Sequence, residues 1–140
     1  MNLTKLLKSL FGDKSTRDMK LIQPFVEKVK SMSPNIENLD NDALRARTQE
    51  IRKNIQESVT AQRKQIDDLK AKIEETPIDE RADIFAQIDK IEKEILDIFE
   101  DKLNEVMPEV FAIVKETAKR FATNEETVVT ATEFDRNLAA

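Results

Sequence analysis

Four acidic residues have the types and spacing that come closest to a chemical site in this sequence. Asp97, Glu100, Asp101 and Glu105 are one to four residues apart, so a helix would hold them near one another as a potential cation or acid–base cluster. The chain contains no Cys and no His, which excludes a thiolate nucleophile, an imidazole base and a Cys/His zinc site. Its single glycine, Gly12, leaves no glycine-rich loop near the acids. We therefore interpret them as solvated charge on a helix and expect no catalysis.

A short amphipathic segment, residues 1–12, is the candidate binding site. Its apolar residues follow the i, i+3, i+4, i+7, i+8 pattern of one helical face, and Gly12 ends the pattern. The candidate membrane- or partner-binding residues are Leu3, Lys5, Leu6, Leu7, Lys8, Leu10 and Phe11. Two interpretations remain open: the face packs on its own domain, or it docks on a membrane or a protein partner.

The composition indicates an all-α protein. Charged residues make up 36% of the chain, aromatic residues 5%, and glycine occurs once, a mixture that favours long helices over turn-rich sheets. The net charge is −5, yet residues 1–20 carry +3. Nucleic-acid binding is not expected, because no basic face is interleaved with aromatic residues. Without a signal peptide, a membrane span or a cysteine, the pattern predicts a cytoplasmic chain.

A second helix is predicted over residues 15–38. Ser15 and Asp18 match a capping box, and apolar residues recur at helical spacing until Ser33 and Pro34, where we expect the helix to stop. Pro24 lies within the pattern and predicts a kink or break near Gln23.

Residues 41–107 predict a long, coiled-coil-like helical hairpin with its turn near residues 76–77. Asp40 or Asn41 caps the first arm, whose apolar residues keep a seven-residue repeat with a shift in the middle. Thr76 and Pro77 are predicted to cap and begin the returning arm. Residues 41–75 carry a net charge of +1 and residues 77–107 a net charge of −6, which favours pairing of the arms. The same repeat allows the hairpin to close within one chain or between two.

Pro108 is predicted to separate the returning arm from a core helix over residues 108–122. After it, residues 127–132 are rich in Thr and Val and resemble a strand without a partner strand. The expected fold is therefore all-α, an elongated hairpin with short flanking helices and a disordered or strand-like tail over residues 123–140.

Four stretches together resemble the N-terminus of the bacterial preprotein translocase ATPase SecA. They are residues 3–20, 39–55 and 107–121 and the tail, about half of the chain. The third stretch, MPEVFAIVKETAKRF, is the most specific, and its family-like positions are Pro108, Glu109, Phe111, Ala112, Val114, Glu116 and Arg120. Many SecA proteins have only a short connection between the second and third stretches. In this sequence residues 56–104 occupy that position, which resembles the Bacteroidetes-type members.

The resemblance implies that these residues are the start of a longer, ATP-driven motor that moves preproteins through the SecYEG channel. In that case the tail of residues 123–140 would lead into the missing ATPase domain, and the ATP and Mg²⁺ sites would lie after Ala140. A zinc-binding tail would also lie after Ala140. We expect no cofactor within the present 140 residues. In the family, the N-terminal helix contributes to contact with anionic phospholipid, with the channel and with a second SecA copy in a homodimer. This implies peripheral association with the inner face of the cytoplasmic membrane. The alternative is a stand-alone coiled-coil adaptor or oligomerisation module.

Overall fold

A computed structural model describes residues 14–140, and within that range every regular element is helical, which confirms the all-α fold class. The elements are α1 (Lys14–Glu37), α2 (Asn41–Glu57), α3 (Thr60–Glu75), a 3-10 turn (Ile78–Glu80), α4 (Arg81–Thr123) and α5 (Glu133–Ala139). The predicted N-terminal helix over residues 1–12 lies outside the described residues. Two compact units form: residues 14–39 with 108–126, and residues 40–107 with 127–140.

Helix α1 contains two prolines, Pro24 and Pro34, and is continuous at both. The prediction that Ser33 and Pro34 end the helix is wrong, since α1 continues to Glu37, and Pro24 does not interrupt it. Ser15, predicted as the cap, lies inside the helix. Each proline removes one N–H from the helical ladder, but both are exposed, so water can bind the carbonyls that lose a partner. Only Ile36 in α1 is buried.

The second unit contains a helical hairpin in which α2 and α3 run antiparallel to the first part of α4. Ile55 lies beside Leu103, whereas Arg63, nearer the turn, lies beside Glu92. The buried apolar residues of this hairpin follow the predicted repeat: Leu44, Ile51, Val59, Ile66 and Ile88. Their burial within one chain supplies the main favourable free energy of the hairpin.

The first arm of the hairpin is two helices rather than one. Helix α2 ends at Glu57 and α3 begins at Thr60, with Val59 between them at φ −114° and ψ 13° and fully buried. The Ser58 N–H still donates to the Asn54 carbonyl, and the Arg63 N–H donates to the Val59 carbonyl. The shift in the seven-residue repeat therefore coincides with the break between α2 and α3, where Val59 is buried.

The turn of the hairpin lies at Thr76 and Pro77, but these residues do not begin the second arm. Thr76 is the C-cap of α3 and its hydroxyl donates to the Lys72 carbonyl, and Pro77 precedes the 3-10 turn. Helix α4 starts only at Arg81. The predicted capping role was wrong because the Thr76 hydroxyl bonds backwards to its own helix, a common competitor of N-capping.

Helix α4 continues without interruption through Pro108, so the predicted separation at this residue is also wrong. Proline removes the hydrogen bond to the carbonyl four residues earlier, here that of Asn104. Asn104 is exposed and Pro108 is buried. Solvent can thus bind the freed carbonyl, while burial of the proline ring favours the continuous helix.

The tail is helical at its end and not strand-like. Residues 124–132 have no regular structure, and α5 follows with Thr132 and Asp135 forming a capping box. The β-branched residues predicted as a strand have no partner strand within the described range. Their backbone groups instead bind side chains of α2, as described below.

Candidate functional site

The Arg120 cluster joins the end of α1 to α4 within the first unit. The Arg120 guanidinium donates to Glu116 Oε1 at 2.9 Å and to the Leu39 carbonyl at 2.6 Å, with a longer contact of 3.5 Å to the Glu37 carbonyl. Carbonyls after a helix end lack intrahelical donors, and a guanidinium is well suited to bind several at once. The cluster therefore fixes the path of the chain as it leaves α1.

Both members of this ion pair are largely removed from solvent. The side chains of Arg120 and Glu116 are 12% and 9% exposed. The hydrogen bond from Arg120, assisted by the positive charge of Lys119, lowers the pKa of Glu116 from its ordinary value against the opposing effect of burial. Lys119 also lies 3.6 Å from both Glu116 and Glu37. Glu116 is thus held as a carboxylate and acts as an acceptor within the fold.

The tail clamp, a second polar cluster, holds residues 128–135 against the start of α2. Asp42 accepts hydrogen bonds from the Thr130 backbone N–H at 2.9 Å and from the Thr130 hydroxyl at 2.5 Å. Asn41 Nδ2 donates to the Val128 carbonyl at 2.9 Å. The Arg45 guanidinium donates to both carboxylate oxygens of Asp135, at 3.1 and 2.8 Å. These contacts connect positions that are 87 to 90 residues apart in the sequence.

The two aspartates of the tail clamp are both stabilised as carboxylates. Hydrogen bonds from the Thr132 backbone, from Arg45 and from the Thr132 hydroxyl lower the pKa of Asp135 from 3.8 to about 2. The Thr130 hydroxyl and backbone N–H lower the pKa of Asp42. Of the two residues predicted as the cap of α2, Asp40 and Asn41, it is Asp40 that caps the helix, by accepting the Ala43 N–H at 2.7 Å.

The family-like residues of α4 divide between two faces of the helix. Pro108, Ala112 and Glu116 are buried at intervals of four residues, and Arg120 continues that row. The remaining positions point elsewhere: Glu109 is half-buried, and Phe111 and Val114 are each 59% exposed. One face of this segment therefore packs on α1, and the other presents apolar side chains to solvent.

The tail clamp was not predicted from the sequence. The pattern Thr132-x-x-Asp135 has the form of a capping box and could have predicted α5. No local pattern relates Asp42 to Thr130 or Arg45 to Asp135, because these pairs depend on the return of the chain through the hairpin. Sequence reasoning therefore had a signal for the helix but none for the contact.

The N-terminal candidate residues and the acidic cluster are the remaining sites considered from the sequence. Leu3, Lys5, Leu6, Leu7, Lys8, Leu10 and Phe11 lie outside the described residues. Over residues 14–140, no group of three or more acidic side chains is arranged to hold a metal ion, and Glu105 pairs with Lys102 at 2.6 Å. None of the helices in that same range is both long enough and apolar enough to span a membrane.

Comparison with known proteins identifies the family. Residues 7–136 match the profile described as the SecA DEAD-like domain. The chain is 61% identical over 140 residues to the protein translocase subunit SecA of Bacteroides thetaiotaomicron, 56% over 140 residues to that of Bacteroides fragilis, and 43% over 139 residues to that of Flavobacterium psychrophilum. These alignments cover 99 to 100% of this chain and 12 to 13% of the relatives. No solved structure matches significantly. On these matches, the chain belongs to the SecA family of protein translocase subunits.

Proposed function

We propose that this chain is the N-terminal scaffold of a SecA motor that couples ATP hydrolysis to moving preproteins through the SecYEG channel. The family match supports the translocase assignment, and the chain spans only about one eighth of the length of its relatives, 12 to 13%. ATP, Mg²⁺ and any zinc ion would bind in the rest of such a protein. The role of these residues is then to position other parts of the motor.

The scaffold assignment rests on what the charged side chains of the Arg120 cluster and the tail clamp bind. Arg120 binds backbone carbonyls at the end of α1, and Asp42 binds a backbone N–H of the tail. In each cluster the charged groups are directed at the protein's own backbone and at each other. Such contacts fix segments that are distant in sequence, which is the property required of a scaffold.

The pKa shifts of the carboxylates in the two clusters argue against acid–base catalysis by those groups. Glu116, Asp42 and Asp135 all have lowered pKa values because hydrogen-bond donors stabilise the carboxylate. A general base is most effective with a pKa near the working pH, and these groups are displaced away from it. With a single glycine, Gly12, the sequence also has no glycine-rich phosphate-binding loop, so we expect no nucleotide turnover by the 140-residue chain. A steady-state phosphate-release assay with ATP and Mg²⁺ tests this, and turnover above a buffer blank would contradict it.

Membrane and channel contact is the second part of the proposed role. The first half of α1 exposes apolar side chains beside basic ones: Leu21 is 72% and Ile22 51% exposed, and Lys20 is exposed between Met19 and Leu21. The amphipathic segment of residues 1–12 precedes this surface directly. An apolar face with adjacent lysines binds weakly and reversibly to an anionic membrane surface, each lysine adding about 1 kcal/mol. The cytoplasmic face of the membrane is the corresponding location.

Vesicle co-sedimentation tests this contact. Leu7→Asp places a charge within the predicted apolar face, and Ser9→Asp makes the same charge change away from it. We expect Leu7→Asp to weaken binding to vesicles of anionic phospholipid at least several-fold more than Ser9→Asp, and salt to weaken binding of the unmodified chain. Equal losses in the two variants would show that only net charge matters and would remove the helix from the proposal.

A further inference from the structure

The tail segment, residues 127–140, is attached to the second unit mainly by polar contacts. None of its residues is buried, and its larger apolar side chains, Val128, Phe134 and Leu138, are 74%, 71% and 78% exposed. Apolar burial is the main favourable term in folding, and it therefore contributes little to holding this segment in place. The tail clamp supplies the attachment instead.

The contacts of the tail clamp share residues, so they form and break together. Thr130 is held through three of its groups: its N–H and its hydroxyl donate to Asp42, and its carbonyl accepts from Arg45 at 3.4 Å. Arg45 also binds both carboxylate oxygens of Asp135. Loss of either α2 side chain thus weakens the hold on Thr130 and, through it, the remaining contacts.

Asp135 couples the clamp to the formation of α5. Its carboxylate accepts the Thr132 N–H at 2.8 Å and the Thr132 hydroxyl at 2.9 Å in the capping box of α5, and it accepts from Arg45 at the same time. Helix α5 has only seven residues, and a helix of that length is marginal in water without other support. Release of Arg45 therefore removes an interaction on which α5 depends.

The hairpin does not use the tail segment for its core. Within residues 40–107 and 127–140, the buried apolar residues all lie in the hairpin: Leu44, Ile51, Val59, Ile66 and Ile88. Exposed polar contacts are individually weak and are screened by salt. Detaching the tail segment therefore requires much less free energy than unfolding the hairpin.

We propose that the tail segment is a releasable strap: it detaches from α2 as one unit, and α5 unfolds in the same step, while the hairpin remains folded. Opening frees the first two turns of α2, where Asn41, Asp42 and Arg45 lose their contacts with the tail. Higher ionic strength favours the open state, because the side chains of Arg45 and Asp135 are 41% and 33% exposed. Release is a property of this chain alone and does not depend on a role in translocation.

Hydrogen exchange of individual amides, followed by NMR on the 140-residue chain, tests the release. Four amides report on the strap, those of Thr130, Thr132, Asp135 and Arg136, since each donates a hydrogen bond to the clamp or within the strap. Because one opening event exposes all four, we expect them to share one protection factor, at least about a hundredfold below that of the hairpin amides. Raising NaCl from about 0.05 to about 0.5 M should lower the protection of these four amides alone.

Two variants test whether the contacts act together. Arg45→Gln deletes the ion pair with Asp135, and Thr130→Val deletes the hydroxyl that binds Asp42. We expect each variant to lower the protection of all four amides by about three- to tenfold, including that of Arg136, whose N–H donates to the Thr132 carbonyl. The hairpin amides should stay within about twofold of their protection in the unmodified chain.

Each variant has a matched control. Arg52→Gln makes the same change at an exposed position of α2 about two helical turns beyond Arg45, and Thr127→Val makes the same change at the start of the strap. Among the described residues, neither Arg52 nor Thr127 makes a side-chain hydrogen bond or an ion pair with the clamp. Both controls should therefore leave the protection of the four amides within about twofold of its original value.

Any of four results would overturn the proposal. Equal loss of protection in the strap and in the hairpin would show that the two unfold together. Different losses among the four amides would show that the contacts open one by one. If the four amides are unprotected in the unmodified chain, the clamp does not close in solution. If Arg45→Gln has no more effect than Arg52→Gln, the clamp does not hold the strap.

Discussion

Removal of the Arg120 side chain should destabilise the first unit strongly. Arg120→Ala deletes hydrogen bonds of 2.9 Å to Glu116 and 2.6 Å to the Leu39 carbonyl, and each charge-assisted bond contributes about 1.5 to 3 kcal/mol. The carboxylate of Glu116, with 9% of its side chain exposed, then loses its main partner, and breaking a buried pair costs about 3 to 5 kcal/mol. Lys119, at 3.6 Å, can compensate in part. We therefore expect a loss of about 2 to 4 kcal/mol in the free energy of unfolding.

Urea unfolding followed by circular dichroism of the helices measures this loss, since the chain has no Trp or Tyr to provide a fluorescence signal. Lys119→Ala is the matched control: its side chain is 55% exposed, and its ion pairs should contribute at most about 1 kcal/mol. Arg120→Lys keeps the charge but not the fork of donors, and should fall between the two. If Arg120→Ala costs no more than Lys119→Ala, the cluster does not hold α1 and the reasoning is refuted.

Three further perturbations probe the hairpin, the tail clamp and α1. Val59→Ala, at the fully buried junction of α2 and α3, should reduce the free energy of unfolding by about 1 to 3 kcal/mol in urea titrations, whereas Val128→Ala, at a residue 74% exposed, should change it by less than about 0.5 kcal/mol. The pKa of Asp135 is about 2 in the folded chain, below its ordinary 3.8, so its contribution to stability is present above pH 3.8 and is lost as the pH falls toward 2. A carboxyl NMR titration should show the lowered pKa of Asp135, and Arg45→Gln should raise it. Pro24→Ala, in an exposed helix interior, should stabilise α1 by up to about 3 kcal/mol and increase the protection of its amides against hydrogen exchange. Unchanged protection would show that Pro24 does not limit the stability of α1.

Periodicity predicted the parts of the fold that depend on local burial. The seven-residue repeat located the buried residues Ile51, Val59 and Ile66 on the first arm, and one of the two predicted caps of α2, Asp40, is the cap in the structure. The burial pattern follows from helical geometry, and the cap follows from one neighbouring backbone N–H, that of Ala43. A single sequence contains that information directly.

The breaks and the long-range contacts could not be predicted in the same way. Pro34 and Pro108 were interpreted as helix ends from their local effect on the backbone, yet both lie inside helices. Exposure of the freed carbonyls and burial of Pro108 decide the outcome, and both depend on tertiary structure. The contact of Arg45 with Asp135 likewise depends on where the chain returns, and its 90-residue separation leaves no local pattern.

The tail clamp gives a physical reason why a long hairpin can be accommodated between the two ends of this segment. Asp42 and Thr130 are 88 residues apart in sequence, and the return of the chain through the hairpin brings them into hydrogen-bond contact. The entropic cost of closing a loop rises by only about 0.6 kcal/mol for each doubling of its length. A hairpin offsets that cost by burying its own apolar residues, here Ile51, Ile66 and Ile88 among others. The clamp and the hairpin therefore stabilise this unit by different means: the clamp through polar contacts between distant segments, and the hairpin through burial of its own apolar residues.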